Sequence, residues 1–150
     1  MVELKKSLFV LRLEILFALI SLAVFVSDQL IKYLIHFYRP ELNLKLFAIH
    51  FVQNTGAGFG IFKAQTGLLA IISLIVALAV LFFYRKIPRE AAPQILFAVF
   101  LGGVLGNLID RIFKGFVIDF IDLGFWPAFN VADTAITVSV IGLIIYFWKK

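Results

Sequence analysis

The sequence predicts a mainly α-helical membrane protein, with four transmembrane helices and a small β-sheet cradle on the outer, extracytoplasmic side. Its 150 residues are 63% hydrophobic and only 15% charged, whereas an average globular domain is about 25% charged. Four apolar segments are long enough to span a bilayer, which needs about 20 residues of helix. So few charges cannot cover the surface of a small soluble fold, which excludes a soluble enzyme, a disordered tail and a water-exposed binding module.

The four apolar segments predict helices over residues about 8–34, 68–84, 95–113 and 131–148 of a single integral membrane domain, 1–150. The first follows basic residues, as the apolar region of a cleavable signal peptide does. Its apolar run is too long for a typical signal peptide, and it continues into the polar sequence Ser27-Asp28-Gln29. We therefore interpret it as a retained helix.

The basic residues predict the orientation of these helices. If successive helices alternate in direction, eight lysines and arginines fall on one side of the membrane and four on the other. Cytoplasmic loops carry the excess of Lys and Arg, so both termini are expected to be cytoplasmic. The net charge of +5 is dispersed among apolar runs, and we therefore expect no nucleic-acid partner. The lack of cysteine excludes disulfides and thiolate metal sites.

Two segments between the helices predict strands, at about residues 42–53 and 116–123. Leu42–Leu46 alternates apolar and polar residues with a period of two, as a half-buried strand does. The residues that follow favour strands, up to the glycine-containing segment Asn54–Gly60, where the backbone can approach another group closely. Because open sheet edges do not occur in hydrocarbon, a small sheet is expected at the outer membrane–water interface.

Polar and ionisable residues gather near the outer ends of the predicted helices and on the second predicted strand region. They are Asp28, Lys32, Asn107, Asp110, Arg111, Asp119, Asn130 and Asp133. Asp28 and Lys32 are four residues apart and can form a structural ion pair on one helix face. Asn107, Asp110 and Arg111 share a face of the third helix by the same reasoning. Charged groups in a membrane are costly, so such residues usually face a protein interior and carry function.

Several of these residues also have a purely structural interpretation. Asp110 and Arg111 could form a local tether, and Asn130 or Asp133 could simply cap the fourth helix. The spacing Gly102-x-x-x-Gly106 more often marks helix packing than a site. These interpretations do not explain why carboxylates, amides and one arginine converge at the same membrane depth.

The chemistry that remains is that of a carboxylate pair. The sequence has no His-Glu-x-x-His and no Gly-x-Ser-x-Gly, so it lacks the usual zinc-protease helix and nucleophile elbow. Two carboxylates that share one proton can act together, one taking a proton from water while the other donates to a carbonyl. Asp119 and Asp133 are the natural pair, one on a strand and the other on a helix.

The whole chain resembles the lipoprotein signal peptidase (signal peptidase II) family. Five motifs carry the resemblance in order: Asp28-Gln29-Leu30-Ile31-Lys32, Asn54-Thr55-Gly56-Ala57, Gly106-Asn107-Leu108-Ile109-Asp110-Arg111, Val117-Ile118-Asp119-Phe120 and Phe129-Asn130-Val131-Ala132-Asp133. The one departure is Thr134, where the family commonly has serine.

The resemblance implies an intramembrane aspartyl endopeptidase that removes the signal peptide from diacylglyceryl-modified bacterial prolipoproteins, cleaving just before the lipidated cysteine. Asp119 and Asp133 match the family's catalytic aspartates. The positions that match substrate-binding or dyad-supporting residues are Asn54, Gly56, Asn107, Asp110, Arg111 and Asn130. The resemblance implies no metal and no organic cofactor.

The resemblance also implies a location and partners. The expected location is the bacterial cytoplasmic (inner) membrane, as a multi-pass protein with its active site near the outer face. The expected partners are the diacylglyceryl prolipoprotein substrate and membrane lipid. A monomer is expected, because the compact site needs only one chain.

Three other classes of protein are compatible with parts of the sequence. A small proton-coupled transporter also carries intramembrane aspartates, but it usually shows internal repeats, and no motif occurs twice here. A scaffold protein would leave the convergence of Asp119 and Asp133 without a purpose. A presenilin-type aspartyl protease would share the chemistry, but its Gly-x-Gly-Asp sequence is absent.

Overall fold

The computed structural model describes residues 2–58 and 61–150, apart from the side chains at 2 and 4–6. The described elements are α1 (Val2–Tyr38), β1 (Leu42–Asn43), β2 (Ala48–Asn54), α2 (Thr66–Phe82), α3 (Ala91–Lys114), β3 (Val117–Asp122) and α4 (Val131–Trp148), with a 3₁₀ turn at Tyr84–Lys86 between α2 and α3. In this part of the chain the protein is therefore mainly helical, as the composition predicts.

Among the described residues, three helices are long and apolar enough to cross a membrane, namely α1 over Ser7–Tyr38, α3 and α4. α2 is equally apolar in character but has only 17 residues. α1 and α3 extend beyond the predicted ranges 8–34 and 95–113 at both ends. A hydrophobic run marks only the part of a helix that suits lipid, and helical hydrogen bonding continues into the flanking polar and aromatic residues.

α3 lies at the centre of the bundle and contacts the other three helices. Its small residues allow this close approach. A Cβ atom at Gly102 would lie 2.6 Å from the Ser21 carbonyl oxygen of α1, and one at Gly106 would lie 2.5 Å from the Asp28 carboxylate. The packing interpretation of Gly102-x-x-x-Gly106 is therefore confirmed, since neither glycine has room for a side chain.

The sheet is antiparallel and three-stranded, in the order β1-β2-β3. In the pairing of β2 with β3, Val52 lies opposite Asp119 and Asn54 lies opposite Val117. The register shifts between Ile49 and Val52, as it does at a β-bulge, where one strand carries an extra residue. This register brings the end of β2 beside Asp119.

The prediction of one strand region over residues 42–53 is wrong in its first half. Leu44 and Phe47 exchange backbone hydrogen bonds of 2.9 and 3.2 Å, so the chain reverses there and β1 pairs back onto β2. Leu42–Leu46 is therefore a short strand and a turn instead of a half-buried strand. The sequence hides the turn because Lys45-Leu46 contains none of the Gly or Asn residues that usually mark a two-residue hairpin.

The sheet lies at the end of the bundle where α1 and α3 finish and where α2 and α4 begin. β1 and β2 connect α1 to α2, and β3 connects α3 to α4. Ile35 of α1 packs in one buried cluster with Ile118 and Phe120 of β3. Val131, the first residue of α4, packs against the same cluster, so β3 lies beside the first turn of α4.

Candidate active site

Asp119 is buried in the middle of β3, where two amides bind its carboxylate. The Asn54 side-chain amide donates to Oδ2 at 2.8 Å, and the Asn130 side-chain amide donates to Oδ1 at 2.6 Å. Gly56 fixes the first of these donors, because its backbone N–H donates to Asn54 Oδ1 at 2.9 Å. With that oxygen occupied, the NH₂ group of Asn54 faces Asp119.

Asp133 is in the first turn of α4, and Asn130 is the residue that caps this helix. The Asp133 N–H donates to Asn130 Oδ1 at 2.8 Å, and the Asn130 N–H donates to Asp133 Oδ2 at 3.2 Å, which forms a capping box. The Asn107 amide donates to the other oxygen, Oδ1, at 2.8 Å. The capping interpretation therefore holds for both residues, yet Asn130 also donates to Asp119 and so connects the two carboxylates.

Burial and the negative charge of Asp133 raise the pKa of Asp119 to about 7. The hydrogen bonds from Asn54 and Asn130 act in the opposite direction but are outweighed. A buried carboxyl beside a second carboxyl resists ionisation, because a second negative charge is unfavourable where water cannot screen it. Near neutral pH the protonated form of Asp119 is therefore populated.

Two cavities open beside these carboxylates. Asp119, Gly56 and Lys63 line one of about 240 Å³. Arg111 and Asp133 line the other, of about 270 Å³. Residues that follow the end of β2 border both cavities. A peptide entering this region would have both carboxyl groups and a cationic side chain within reach.

Arg111 lines the second cavity and has one buried donor without a partner in the described part of the chain. Its Nη1 donates to Ser73 Oγ of α2 at 3.4 Å. Its Nε is buried and finds no partner among residues 2–58 and 61–150. A buried donor without a partner is costly, so the guanidinium is suited to bind an oxygen of a ligand.

Asp28 and Lys32 form the ion pair that their spacing predicts, with 2.7 Å between the Asp28 carboxylate and Lys32 Nζ, and both are fully buried. Asp28 also accepts the backbone N–H of Ala132 at 2.9 Å. The first N–H groups of a helix have no hydrogen-bond partner within the helix, and this contact supplies a partner for one of them. The pair therefore anchors α1 to the helix that carries Asp133.

Asp110 shares a face of α3 with Asn107, as their spacing predicts, because both side chains contact Lys32 Nζ. Its carboxylate is 3.0 Å from Lys32 Nζ and 2.7 Å from Lys114 Nζ, and it accepts the Ile118 N–H at 3.3 Å. Asp110 therefore connects α3 to α1 and to the start of β3. Its ion-pair partners are Lys32 and Lys114 instead of Arg111.

The remaining polar groups are peripheral or escaped the sequence analysis. Asp122 is at the other end of β3, partly exposed, 3.5 Å from His50 Nε2. Lys114 follows Asp110 by four residues, a spacing that could have revealed their pair. Lys63, which lines the first cavity, carried no comparable signal. Within the described ranges, no group of three or more Asp, Glu, His or Cys residues is arranged to hold a metal ion.

The chain matches the family model described as Signal peptidase (SPase) II over residues 20–149. The chain belongs to the signal peptidase II family. The family identification from the five motifs is therefore confirmed, and with it the prediction of an aspartyl peptidase.

Relatives and solved structures agree with this membership in signal peptidase II. The chain is 40% identical over 139 residues to a lipoprotein signal peptidase of Moorella thermoacetica, covering 89% of this chain and 91% of that one. It is 33% identical over 138 residues to a lipoprotein signal peptidase of Halothermothrix orenii, covering 88% and 94%. A solved structure of a bacterial membrane enzyme is similar with a TM-score of 0.82 and 31% identity, covering 89% and 87%. The likeness confirms a mainly helical membrane protein.

Replacing Arg111 by Lys is expected to lower activity strongly without moving the pH optimum. Lys keeps the charge but loses the planar set of donors that can bind a carbonyl or a carboxylate in two places. The pH dependence of kcat/KM of the purified variant, compared with that of wild type, checks this. A displaced optimum would show that Arg111 acts on the carboxylates and not on the ligand.

Proposed function

We propose that this chain removes the signal peptide from diacylglyceryl-modified prolipoproteins, cleaving just before the lipidated cysteine, with Asp119 and Asp133 as the catalytic pair. The observation that carries the proposal is that a buried carboxylate on β3 and a half-buried one on α4 receive hydrogen bonds from one residue, Asn130. Membership in an aspartyl peptidase family supports the chemistry, and the names of the relatives support the substrate.

The reaction begins with one ionised and one protonated carboxyl group. Asp133 takes a proton from water, whose oxygen attacks the scissile carbonyl, while Asp119 donates its proton to the carbonyl oxygen. In the tetrahedral intermediate that forms, the proton held by Asp133 then passes to the nitrogen of the leaving amine. The C–N bond breaks as Asp119 recovers its proton from the hydroxyl group. The pair returns to its starting protonation state.

The raised pKa of Asp119 supports its role as the acid of the pair. The position of Asp133 supports its role as the base. The first turn of α4 favours a negatively charged side chain, because the free N–H groups and the helix dipole place a partial positive charge at the start of a helix. Asn107 and Asn130 each donate to one oxygen of the Asp133 carboxylate.

We propose that the lipid part of the substrate binds an apolar surface of the protein beside Asp133. Leu123, Phe125 and Phe129 line a mostly apolar pocket that also borders Asp133. Each buried methylene of an acyl chain contributes roughly 0.8 kcal/mol to membrane anchoring. We propose that anchorage of the diacylglyceryl group at this depth, together with Arg111 and Asn54, places the scissile bond beside the pair.

We further propose that α2 is the fourth transmembrane helix of a single integral membrane domain. Its 17 residues rise about 26 Å as α-helix, slightly less than a typical hydrocarbon core of about 30 Å. The end of the bundle opposite the sheet carries the basic excess, which supports cytoplasmic termini and an active site near the outer face. The proposed location is the bacterial inner membrane, with one chain forming the complete site.

Activity is expected to fall as the pH rises through about 7, the value to which the pKa of Asp119 is raised. The reason is that Asp119 must be protonated to act as the acid, and its protonated fraction decreases above its pKa. The pH profile of kcat/KM on a lipidated prolipoprotein measures the alkaline limb. Full activity maintained far above pH 7 would contradict the assignment of Asp119 as the acid.

Cleavage of a lipidated prolipoprotein by the purified protein in detergent tests the function. The control is the same prolipoprotein without its diacylglyceryl group. We expect release of the signal peptide from the lipidated substrate and little or none from the control. Equal efficiency on both would contradict the proposed substrate class.

A further inference from the structure

Every hydrogen of the Lys32 ammonium group has an acceptor. Nζ lies 2.7 Å from Asp28 Oδ2, 3.0 Å from Asp110 Oδ2 and 2.9 Å from Asn107 Oδ1. The side chain is fully buried. An ammonium group has three N–H donors and no acceptor, so each of its neighbours must present an oxygen atom as the hydrogen-bond acceptor. Two of its partners are the buried carboxylates, but the third is an uncharged amide.

This third contact fixes the orientation of Asn107. The amide must turn its oxygen towards Lys32, so its NH₂ group points the other way and donates to Asp133 Oδ1 at 2.8 Å. Asn130 supports the same orientation by donating to Asn107 Oδ1 at 3.1 Å. A flipped amide would place its oxygen against the Asp133 carboxylate and its NH₂ group against the ammonium. Both contacts would be repulsive.

We propose that Lys32 is a positioning residue that acts through the Asn107 amide to keep Asp133 as the ionised member of the carboxylate pair. The inference rests on the proposed function of Asp119 and Asp133. It goes beyond the ion pair with Asp28, because it gives the buried lysine a part in the protonation state of the site.

The charged groups around Asp133 come from three elements. Asp119 faces it from β3, Arg111 from α3, and Lys32 and Asp28 from α1. Of the two cations, Lys32 is linked to Asp133 by one amide and two hydrogen bonds. Loss of this link removes both a nearby positive charge and the constraint on the donor, and both effects favour protonated Asp133.

Lys114 offers a matched control within the same cluster. Its Nζ contacts Asp110 at 2.7 Å, as Lys32 does on the other carboxylate oxygen, but in the described part of the chain it makes no hydrogen bond to Asn107. Lys114→Met therefore removes one positive charge from the cluster without releasing the amide. Lys32→Met also removes one positive charge, but in addition it releases the Asn107 amide.

The test is the pH profile of kcat/KM for the purified full chain on a lipidated prolipoprotein. We expect Lys32→Met to move the acid limb upward by about one pH unit, with little change in KM, and Lys114→Met to leave the acid limb in place. A uniform loss of activity with an unchanged acid limb would overturn the inference, since it would show a structural role alone. An equal shift in Lys114→Met would also overturn it, because cluster charge and not the amide would then be responsible.

A second variant guards against misfolding, because Lys32→Met leaves Asp28 buried without its cation. The double variant Asp28→Asn with Lys32→Met removes both charges, and the oxygen of the introduced amide can still accept the Ala132 N–H. Its acid limb is compared with that of Asp28→Asn alone, and the same upward shift is expected. Failure of the proposed function is distinguishable, since it would appear as activity in Asp119→Asn with Lys32 intact.

Discussion

Replacement of either Asp119 or Asp133 by Asn is expected to abolish turnover, with a loss of roughly a thousandfold or more. Each substitution removes one half of the acid–base pair and changes the volume of the side chain very little. The backbone contacts that hold β3 and the first turn of α4 are retained, so the variants should insert and fold. Cleavage of lipidated prolipoprotein by the purified variants measures the loss, and thermal unfolding verifies the fold.

Asp122→Asn is the control for this prediction and should be nearly silent. Asp122 is three residues from Asp119 on the same strand, so its side chain leaves the opposite face. It accepts the Gly124 N–H at 2.7 Å and lies near His50, away from Asp133. Activity comparable to wild type in either Asp119→Asn or Asp133→Asn would overturn the assignment of the pair.

Gly106→Ala is expected to destabilise the protein by at least about 3 kcal/mol, because a new Cβ atom would enter the buried ion cluster. That atom would lie 2.5 Å from Asp28 Oδ2 and 3.3 Å from Ala132 Cβ. Overpacking alone costs about 1–3 kcal/mol, and disturbing a buried ion pair costs about 3–5 kcal/mol when one partner is lost. Alanine regains only about 1 kcal/mol of helix propensity.

Gly67→Ala is the matched control, since a Cβ atom at this position of α2 has no other atom within 4 Å. It should leave the stability unchanged or slightly higher. Thermal unfolding of both variants in the same detergent compares them. A Tm for Gly106→Ala equal to that of wild type would contradict the prediction. It would show that α1 and α4 can move away from α3 without disturbing the contacts of Asp28.

The helices were predictable because their composition must suit lipid. The range predicted for α4, 131–148, coincides with the observed Val131–Trp148. The ends of α1 and α3 were not predictable, because helical hydrogen bonding does not stop where hydrophobicity does. The hairpin at Leu44–Phe47 was missed because its turn residues carry no local conformational signal.

The sequence named most residues of the candidate site but could not predict their contacts. Spacing identified Asp28 with Lys32, and the order of motifs identified Asp119 and Asp133. The contacts of Asp110 with Lys32 and with the Ile118 N–H depend on how α1 and β3 pack against α3, which no local pattern contains. The double role of Asn130, which caps α4 and donates to Asp119, requires β3 and α4 to meet in three dimensions.

Single-turnover cleavage in ¹⁸O-labelled water containing hydroxylamine tests the central claim most directly, since the carboxylate pair is proposed to activate water and not to form a covalent intermediate. The account predicts that the released signal peptide carries one ¹⁸O atom in its new terminal carboxylate and that no hydroxamate forms. A hydroxamate product, or a covalent adduct between substrate and enzyme, would contradict it, because either requires a side chain to attack the carbonyl first.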